Sequence, residues 1–309
     1  MKQRLEKIIE DISSFDLSTY PIREVDESIK QMGKFGCVIV TLHPNKMITR
    51  ARPNYGNDIF QSRSQVSYKP AENNNSYQRA STPNMTMFYG AIIPEKQAAG
   101  ELTDPRIPLI YETLPWMRKK TTKRIQKMTF SNWIVTQDIQ LVAIVQHKDF
   151  YEKGAYLKEL ADAFNGFIKN HPEELETTLL ITEFFAKEFA KDVEENQNHD
   201  YLLSAAFTEV VVKMGFDGVL YPSMRIAGKG LNIAITPDAT DRSLKLVSGA
   251  ECTIYKNLDK TTVDNERIID KIDNEDGFVY QPVEAHYHAG LENCLREVGA
   301  KSTEELMNE

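Results

Sequence analysis

Cysteine is scarce in this sequence of 309 residues: the three cysteines, Cys37, Cys252 and Cys294, lie far apart and form no C-x-x-C pair. Their odd number and wide spacing argue against a disulfide framework and are typical of reduced thiols in a cytosolic protein. No run approaches 18 apolar residues, so we expect no membrane span. Residues 1–7 lead into an amphipathic pattern with acids in it, unlike the apolar core of a signal peptide. We therefore expect a cytoplasmic location.

Basic residues are fewer than acidic residues: 37 lysines and arginines stand against 45 aspartates and glutamates, which gives a formal net charge of −8. A protein that binds the nucleic-acid backbone usually carries a basic excess, so we expect no nucleic-acid partner. The one basic cluster, residues 118–124, could contact a phosphate, but we favour a solvated helix face.

Several well-known catalytic and nucleotide-binding motifs are missing. The sequence contains no G-x-x-x-x-G-K-[ST], no G-x-G-x-x-G after a strand, no H-E-x-x-H and no G-x-S-x-G. His286 and His288 alternate, as two metal ligands on one face of a strand would. No third ligand is evident near them in the sequence, so we expect no metal site.

Apolar periodicity predicts an α+β protein with a strand-rich middle. We interpret residues 1–45 as an N-terminal helical extension, with helices over 2–16 and 22–32 and either a short strand or a buried connector at 37–42. Residues 46–257 form the predicted core domain, and residues 258–309 a C-terminal helical tail packed on it. Further predicted strands are 47–52, 87–93, 218–221, 231–236, a hairpin of 133–136 with 139–145 and an edge strand at 252–255; further predicted helices are 173–195, 201–214, 266–272 and 291–298.

Arginines lie at the predicted strands and turns of the core domain. Arg50 and Arg52 are two residues apart on the strand 47–52 and therefore share one face of it. Arg79 lies in a Ser/Thr/Pro/Asn turn that leads into the strand 87–93. Arginine forks are suited to neutralising a pyrophosphate, so these side chains are candidate anion-binding groups.

A carboxylate and a hydroxyl complete this polar set. Glu112 ends a short apolar run, and Ser223 follows the buried strand 218–221. A carboxylate can stabilise an oxocarbenium-like ribosyl centre as a base departs, and a hydroxyl can hydrogen-bond a ribose. Together with the arginines, this set fits chemistry on a dinucleotide.

Three blocks of the sequence resemble the RES domain family, which is named for Arg, Glu and Ser. The first block is Thr49-Arg50-Ala51-Arg52, and the second runs from Arg79 to Ala91 through Met87-Phe88-Tyr89-Gly90. The third block is Gly215-Phe216-Asp217-Gly218-Val219-Leu220-Tyr221-Pro222-Ser223-Met224-Arg225, followed by Asn232. The blocks occur in the family's order over about residues 46–236, some three-fifths of the chain.

The resemblance implies a fold and an activity. It implies an ADP-ribosyltransferase-like fold, with a split, strongly bent mixed β-sheet that holds NAD⁺ in its cleft. Characterised RES proteins degrade NAD⁺, some of them by phosphorolysis, which releases nicotinamide and ADP-ribose 1″-phosphate. Many are toxins held in check by an antitoxin, so an antitoxin of Xre type is an implied partner, and inorganic phosphate an implied co-substrate.

The resemblance also implies roles for matching residues. Arg50 and Arg79 match the family's two phosphate-holding arginines, although Arg52 is an alternative to Arg50 on the same strand. Tyr89 matches the strand tyrosine, which packs against nicotinamide or its ribose. Ser223 matches the named serine, which orients a ribose. The remaining matches in the third block, expected to help bind the dinucleotide, are Arg225 and Asn232.

The catalytic glutamate is the position at which the sequence departs from the compact family members. An inserted proline-rich stretch separates the tyrosine from the next candidates. We favour Glu112, because an apolar run leads into it; Glu101, which has the shorter spacing, is the alternative.

Two other functions fit the same residues. A mono-ADP-ribosyltransferase would pass the ADP-ribosyl group to a protein. A catalytically silent module would bind NAD⁺ or a partner without releasing nicotinamide. The leading hypothesis is cleavage of the nicotinamide–ribose bond of NAD⁺ with phosphate or water as the acceptor.

Overall fold

The computed structural model describes residues 2–98, 101–147, 149–150, 153–194, 196–272 and 276–307. The helices are α1 (Lys2–Ser13), α2 (Ile22–Met32), α3 (Arg63–Val66), α4 (Arg106–Thr113), α5 (Ala155–Lys169), α6 (Pro172–Phe189), α7 (Leu202–Lys213), α8 (Pro237–Ser243), α9 (Leu291–Val298) and α10 (Thr303–Met307). The strands are β1 (Val38–Leu42), β2 (Met47–Pro53), β3 (Phe88–Ile92), β4 (Lys123–Val135), β5 (Ile139–Ala143), β6 (Gly218–Pro222), β7 (Leu231–Ile235), β8 (Leu244–Asn257), β9 (Lys260–Ile272) and β10 (Phe278–Pro282).

The strands of the described residues form one mixed sheet in the order β1-β5-β6-β7-β3-β2-β4-β8-β9-β10. Its neighbouring strands are antiparallel except β5 and β6, which are parallel. The predicted α+β class is therefore confirmed. The finer expectation, an ADP-ribosyltransferase-like sheet, stays a prediction.

The middle of the sheet is held by a single pairing between β2 and β3. In the described residues these strands share one register position, Thr49 opposite Ala91. Each continues with another neighbour, β2 with β4 and β3 with β7. At this crossing Gly90 lies so close to β2 that an added Cβ would be 3.0 Å from the carbonyl oxygen of Thr49 and 2.7 Å from Ile48. The close approach explains why a residue without a side chain stands here.

One face of the sheet carries two separate groups of helices. Side chains of α1, α2, α6 and α7 pack with Tyr221 and Ala234 of the β6–β7 half. Helix α4 packs with Ala51 and Phe130 of the β2–β4 half. A third apolar cluster on the opposite face includes Trp133 and residues of α5 and α8. The two helix groups on the first face are positioned to form the walls of a cleft.

Helix α4 begins in a proline-rich segment. Pro105 precedes it and Pro108 is its third residue. The first four N–H groups of a helix have no partner within the helix, so the missing N–H of Pro108 removes no helical hydrogen bond. The apolar run before Glu112 is therefore a short helix whose buried residues are Pro108, Leu109 and Ile110.

Several local predictions are confirmed. Helices α2 and α9 have the predicted bounds, and β3, β6 and β7 occupy the predicted stretches. The helix predicted over 173–195 is α6, which begins at Pro172 and already ends at Phe189. Among the described residues, no helix is both long and apolar enough to cross a bilayer.

The N-terminal 45 residues contain a strand as well as helices, which confirms the strand alternative predicted for residues 37–42. Val38–Leu42 is strand β1, which pairs with β5 at one edge of the sheet. Val40 and Leu42 are buried whereas Ile39 is exposed, which is the two-residue alternation of a strand.

The C-terminal segment 258–309 and the strand before it differ from the sequence-based prediction. Residues 266–272, predicted as a helix, belong to strand β9, and β10 follows it, so the segment 258–309 is not a helical tail. Charged residues obscured the strand pattern because they are paired across strands: the Arg267 guanidinium donates to Glu251 Oε1 at 3.0 Å. Strand β8 is flanked by β4 and β9, so the predicted edge strand at 252–255 is interior.

Two other predictions were wrong, and one helix was missed. Strands β4 and β5 are not a hairpin, because they pair with different neighbours. The basic cluster 118–124 is not a helix face: Arg118 ends a 3-10 turn and Lys123 begins β4. Helix α5 was not predicted.

Gly218 gives a stability test. Its φ of +149° and the 1.9 Å separation between an added Cβ and the Ala234 carbonyl oxygen leave no room for a side chain. We expect Gly218→Ala to lower the free energy of unfolding by about 3 kcal/mol or more, measured by urea denaturation. The matched control is Gly166→Ala in α5, where nothing lies within 4 Å; this change should stabilise the protein by about 0.5–1 kcal/mol. Equal effects of the two changes would contradict the described β6–β7 pairing.

Candidate active site

A cleft of about 390 Å³ lies beside the point where β2 and β3 separate. Its volume is within the range of about 300–1,000 Å³ that is usual for small-molecule sites. The polar side chains from the predicted set that line it are Arg50, Arg52, Arg79, Tyr89, Glu112 and Asn232. The structure thus brings six of the eight predicted residues to one cavity. The other two, Ser223 and Arg225, do not line the cavity but lie against Glu112, which does.

Glu112 is the best-positioned side chain of the cleft. It lies in the last turn of α4, and its Oε1 accepts hydrogen bonds from Ser223 Oγ at 2.7 Å and from Asn232 Nδ2 at 2.9 Å. Both donors come from the β6–β7 connection and strand, where Tyr221 is opposite Asn232. Ser223 is fully buried, whereas the Glu112 side chain remains 20% exposed. The carboxylate is therefore fixed by buried donors and still reaches the cleft.

Arg225 lies on the other side of this carboxylate. Its Nε is 3.9 Å from Glu112 Oε2, its Nη2 donates to the carbonyl oxygen of Val193 at 3.0 Å, and its Nη1 forms an ion pair with Asp192. Burial, reinforced by the charge of Arg118, lowers the pKa of Arg225 to about 10, so the guanidinium stays charged at neutral pH.

Arg79 lines the cleft and also binds the C-terminal end of helix α6. It is 5% exposed, and its guanidinium donates to the backbone carbonyl oxygens of Phe189 and Lys191, the latter at 3.1 Å. Phe189 is the last residue of α6, where carbonyl groups lack helical partners. The guanidinium also lies 5.1 Å from the ring centroid of Tyr201. Arg79 therefore stabilises the end of α6, and its positive charge is fixed beside the cleft.

Arg50 and Arg52 occupy the β2 side of the cleft. Arg50 Nη1 donates to the backbone carbonyl oxygen of Tyr89 at 2.8 Å, across the opening between β2 and β3. Its buried Nε has no hydrogen-bond partner among the described residues. Burial, followed by the charge of Arg52, lowers the pKa of Arg50 to about 10, so it too stays cationic at neutral pH. Arg52 donates to the carbonyl oxygen of Gln65 and lies 4.5 Å over the ring of Phe60. Of the two, Arg50 has a buried donor without a partner in the described residues.

Tyr89 is held by the turn that precedes β3. Its hydroxyl accepts the backbone N–H of Ala80 at 3.1 Å and lies 2.7 Å from Ser81 Oγ. Burial raises the pKa of Tyr89 to about 12. The phenol is therefore neutral at physiological pH, and it can contribute a ring face or a hydrogen bond but not a base.

Three further tyrosines, Tyr55, Tyr201 and Tyr221, line the cleft, and the sequence analysis identified none of them as a site residue. Tyr221 belongs to the third sequence block, and its position before Pro222 and Ser223 was the available signal. Burial raises its pKa well above the ordinary value of 10. Tyr201 begins the segment into α7 and carries no local signal, because only the packing of α7 brings it to the cleft.

The alternative glutamate lies elsewhere. Glu101 Oε1 accepts a hydrogen bond from the backbone N–H of Ala155, the first residue of α5. A carboxylate is favourable at a helix N-terminus, which accounts for its position there. Of the two candidates, Glu112 lines the cleft.

The two histidines near the C-terminus do not share a strand face. They lie in the turn after β10, where His286 is 3.4 Å from Glu284 and His288 is 3.1 Å from Asp264. Within the ranges that the structure describes, no group of three or more His, Cys, Asp or Glu side chains could hold a metal ion.

Comparison with known proteins gives no family assignment. No protein-family model matches the sequence, and no curated protein matches it. The resemblance to the RES domain therefore remains a prediction from the three sequence blocks.

The contacts of Arg79 predict a stability defect. Arg79→Met should lower the free energy of unfolding by about 2–4 kcal/mol, because the charged hydrogen bonds to the end of α6 are lost while the apolar stem is kept. Urea denaturation followed by circular dichroism measures the change. The control is Arg23→Met, since the Arg23 side chain is 82% exposed and no change is expected there. Unchanged stability in Arg79→Met would leave Arg79 with no role in holding α6.

Proposed function

We propose that this protein cleaves the N-glycosidic bond between nicotinamide and ribose in NAD⁺, with inorganic phosphate or water as the acceptor. The observation that carries the proposal is the Glu112 carboxylate, fixed by Ser223 and Asn232 in a cleft that also contains Arg50 and Arg52. A rigid carboxylate and cationic forks in one cavity fit a substrate with a ribosyl centre and a pyrophosphate.

The carboxylate would act on the ribosyl centre. Departure of nicotinamide leaves positive charge on the ribose ring, and a fixed negative charge stabilises that charge without reorganisation. Two hydrogen bonds on Oε1 prevent Glu112 from rotating, and they come from side chains that are almost completely buried. The electrostatic contribution is therefore preorganised, which is the condition for a large effect on rate.

The arginines would hold the pyrophosphate. Arg50 offers a buried Nε without a protein partner, and the neighbouring Arg52 adds a second positive charge on the same face of β2. Arg79 contributes mainly charge, since two of its N–H groups already bind the end of α6.

Aromatic rings would hold the bases. Tyr89, Tyr201 and Tyr221 line the cleft, and neutral phenol rings can stack on nicotinamide or adenine while their hydroxyl groups bind nearby polar atoms. A toxin role and an antitoxin partner of Xre type belong to the same proposal and are supported by the sequence resemblance alone. A cytoplasmic location belongs to it too and is supported by the few, widely spaced cysteines.

The test is incubation of the purified protein with NAD⁺, with and without phosphate, followed by chromatographic analysis of the products. Glu112→Gln should lower kcat for nicotinamide release about 100-fold or more, because it removes the charge while preserving an acceptor for Ser223 and Asn232. Glu101→Gln is the matched control and should keep wild-type activity, because Glu101 lies at the start of α5.

Each other outcome has a defined meaning. Full activity in Glu112→Gln would remove this residue from the mechanism, and loss of activity only in Glu101→Gln would move the acid to that position. ADP-ribose recovered on protein instead of in solution would identify an ADP-ribosyltransferase. Binding of NAD⁺ without nicotinamide release at any phosphate concentration would identify a silent module.

A further inference from the structure

An exposed aspartate lies against two arginines next to the candidate active site. The Asp192 side chain is 75% exposed, yet its Oδ1 accepts a hydrogen bond from Arg118 Nη1 at 3.0 Å and forms an ion pair with Arg225 Nη1. The arginines are much less accessible, with Arg118 27% exposed and Arg225 7% exposed. Two guanidinium groups that meet at one carboxylate oxygen form an oxyanion-binding arrangement.

The surrounding charges favour an anion at this position. Arg79 also lies close enough to affect Arg225, and the like charges of Arg118 and Arg79 both help to lower its pKa. The other carboxylate beside Arg225 is Glu112, whose Oε1 is already engaged by Ser223 and Asn232. Asp192 is therefore the acid that balances the Arg118–Arg225 pair from the solvent side.

The backbone next to Asp192 is anchored by a hydrogen bond, whereas its side chain is 75% exposed to solvent. The neighbouring Val193 is buried, and its carbonyl oxygen accepts a hydrogen bond from Arg225 Nη2 at 3.0 Å. Rotation of the Asp192 side chain into solvent would therefore uncover both guanidinium groups without moving the main chain. Ion pairs that involve an exposed partner are weak, so a stronger anion can displace this carboxylate.

We propose that Arg118 and Arg225 form a binding site for a phosphate group, and that Asp192 occupies this site as a competing internal anion until the phosphate displaces it. A phosphate offers several oxygens to both arginine forks, whereas the aspartate uses one. The proposal rests on the proposed function, because it assigns the phosphate either to the acceptor or to the pyrophosphate of the dinucleotide. In both cases the phosphate would lie beside Glu112, whose Oε2 is 3.9 Å from Arg225 Nε.

Calorimetric titration of the full chain with inorganic phosphate, at constant ionic strength, tests the site without requiring turnover. Asp192→Asn should tighten phosphate binding about two- to fivefold, because the competing charge is removed. Arg118→Gln should weaken it about tenfold or more, because a charged hydrogen-bond donor is lost. The matched controls are Glu194→Gln and Lys119→Gln, which remove the same charges from exposed neighbours and should leave the affinity unchanged within about a factor of 1.5.

A second titration, with ADP-ribose in the presence of saturating phosphate, separates the two sources of the phosphate group. Competition assigns the site to the pyrophosphate of the dinucleotide, and independent binding assigns it to free phosphate; both support the site. Weaker phosphate binding in Asp192→Asn, or no effect of Arg118→Gln in a protein that melts normally, overturns the proposal. NAD⁺ cleavage without measurable phosphate binding in any variant would overturn it too, while leaving the proposed function intact with water as the acceptor.

Discussion

The single pairing of Thr49 with Ala91 is the constraint on which the candidate site depends, because it joins two half-sheets that otherwise follow different neighbours. Beside this pairing the polypeptide has room for side chains from both halves, and Arg50 crosses the opening to reach the carbonyl oxygen of Tyr89. Because a separate group of helices covers each half-sheet, the facing sides of the two helix groups form the walls of a cavity. A continuous, fully paired sheet would have left no such opening in its middle.

The charged groups of the cavity differ in how much of their bonding capacity the protein itself uses. Arg79 is committed to the end of α6, Arg225 to the segment after that helix, and Glu112 to its two donors on β6–β7. Arg50, by contrast, retains a buried Nε without a partner in the described part of the chain. Groups whose hydrogen bonds are used by the protein supply a fixed field, whereas a ligand can bind directly to Arg50 Nε and, in place of Asp192, to Arg225. This division makes preorganised electrostatics the physical basis of the proposed cleavage.

Much of the fold could be predicted where local periodicity and pairing agree. Helix α2 and strands β3 and β7 follow from local sequence patterns, the motif resemblance led to Ser223 and Asn232, and the apolar run before it led to Glu112; the structure brings these three side chains together. Prediction failed where a local conformation or contact is determined by residues far away in the sequence. Strand β9 has the charge pattern of an exposed helix until Arg267 is placed opposite Glu251. The sequence near Arg79 likewise contains no trace of the helix end, more than a hundred residues later, that Arg79 binds.

The order of the strands also governs when the cleft can exist during synthesis. Strand β1 pairs with β5 and β3 pairs with β7, so each waits for a partner that is about a hundred residues or more further along the chain. Glu112 leaves the ribosome long before Ser223 and Asn232, the residues that fix its carboxylate. A nascent or shortened chain that ends before β7 therefore has the acid but not its support. Under the proposed function, this delay would keep the newly made chain inactive until residue 232 of the 309 has been translated.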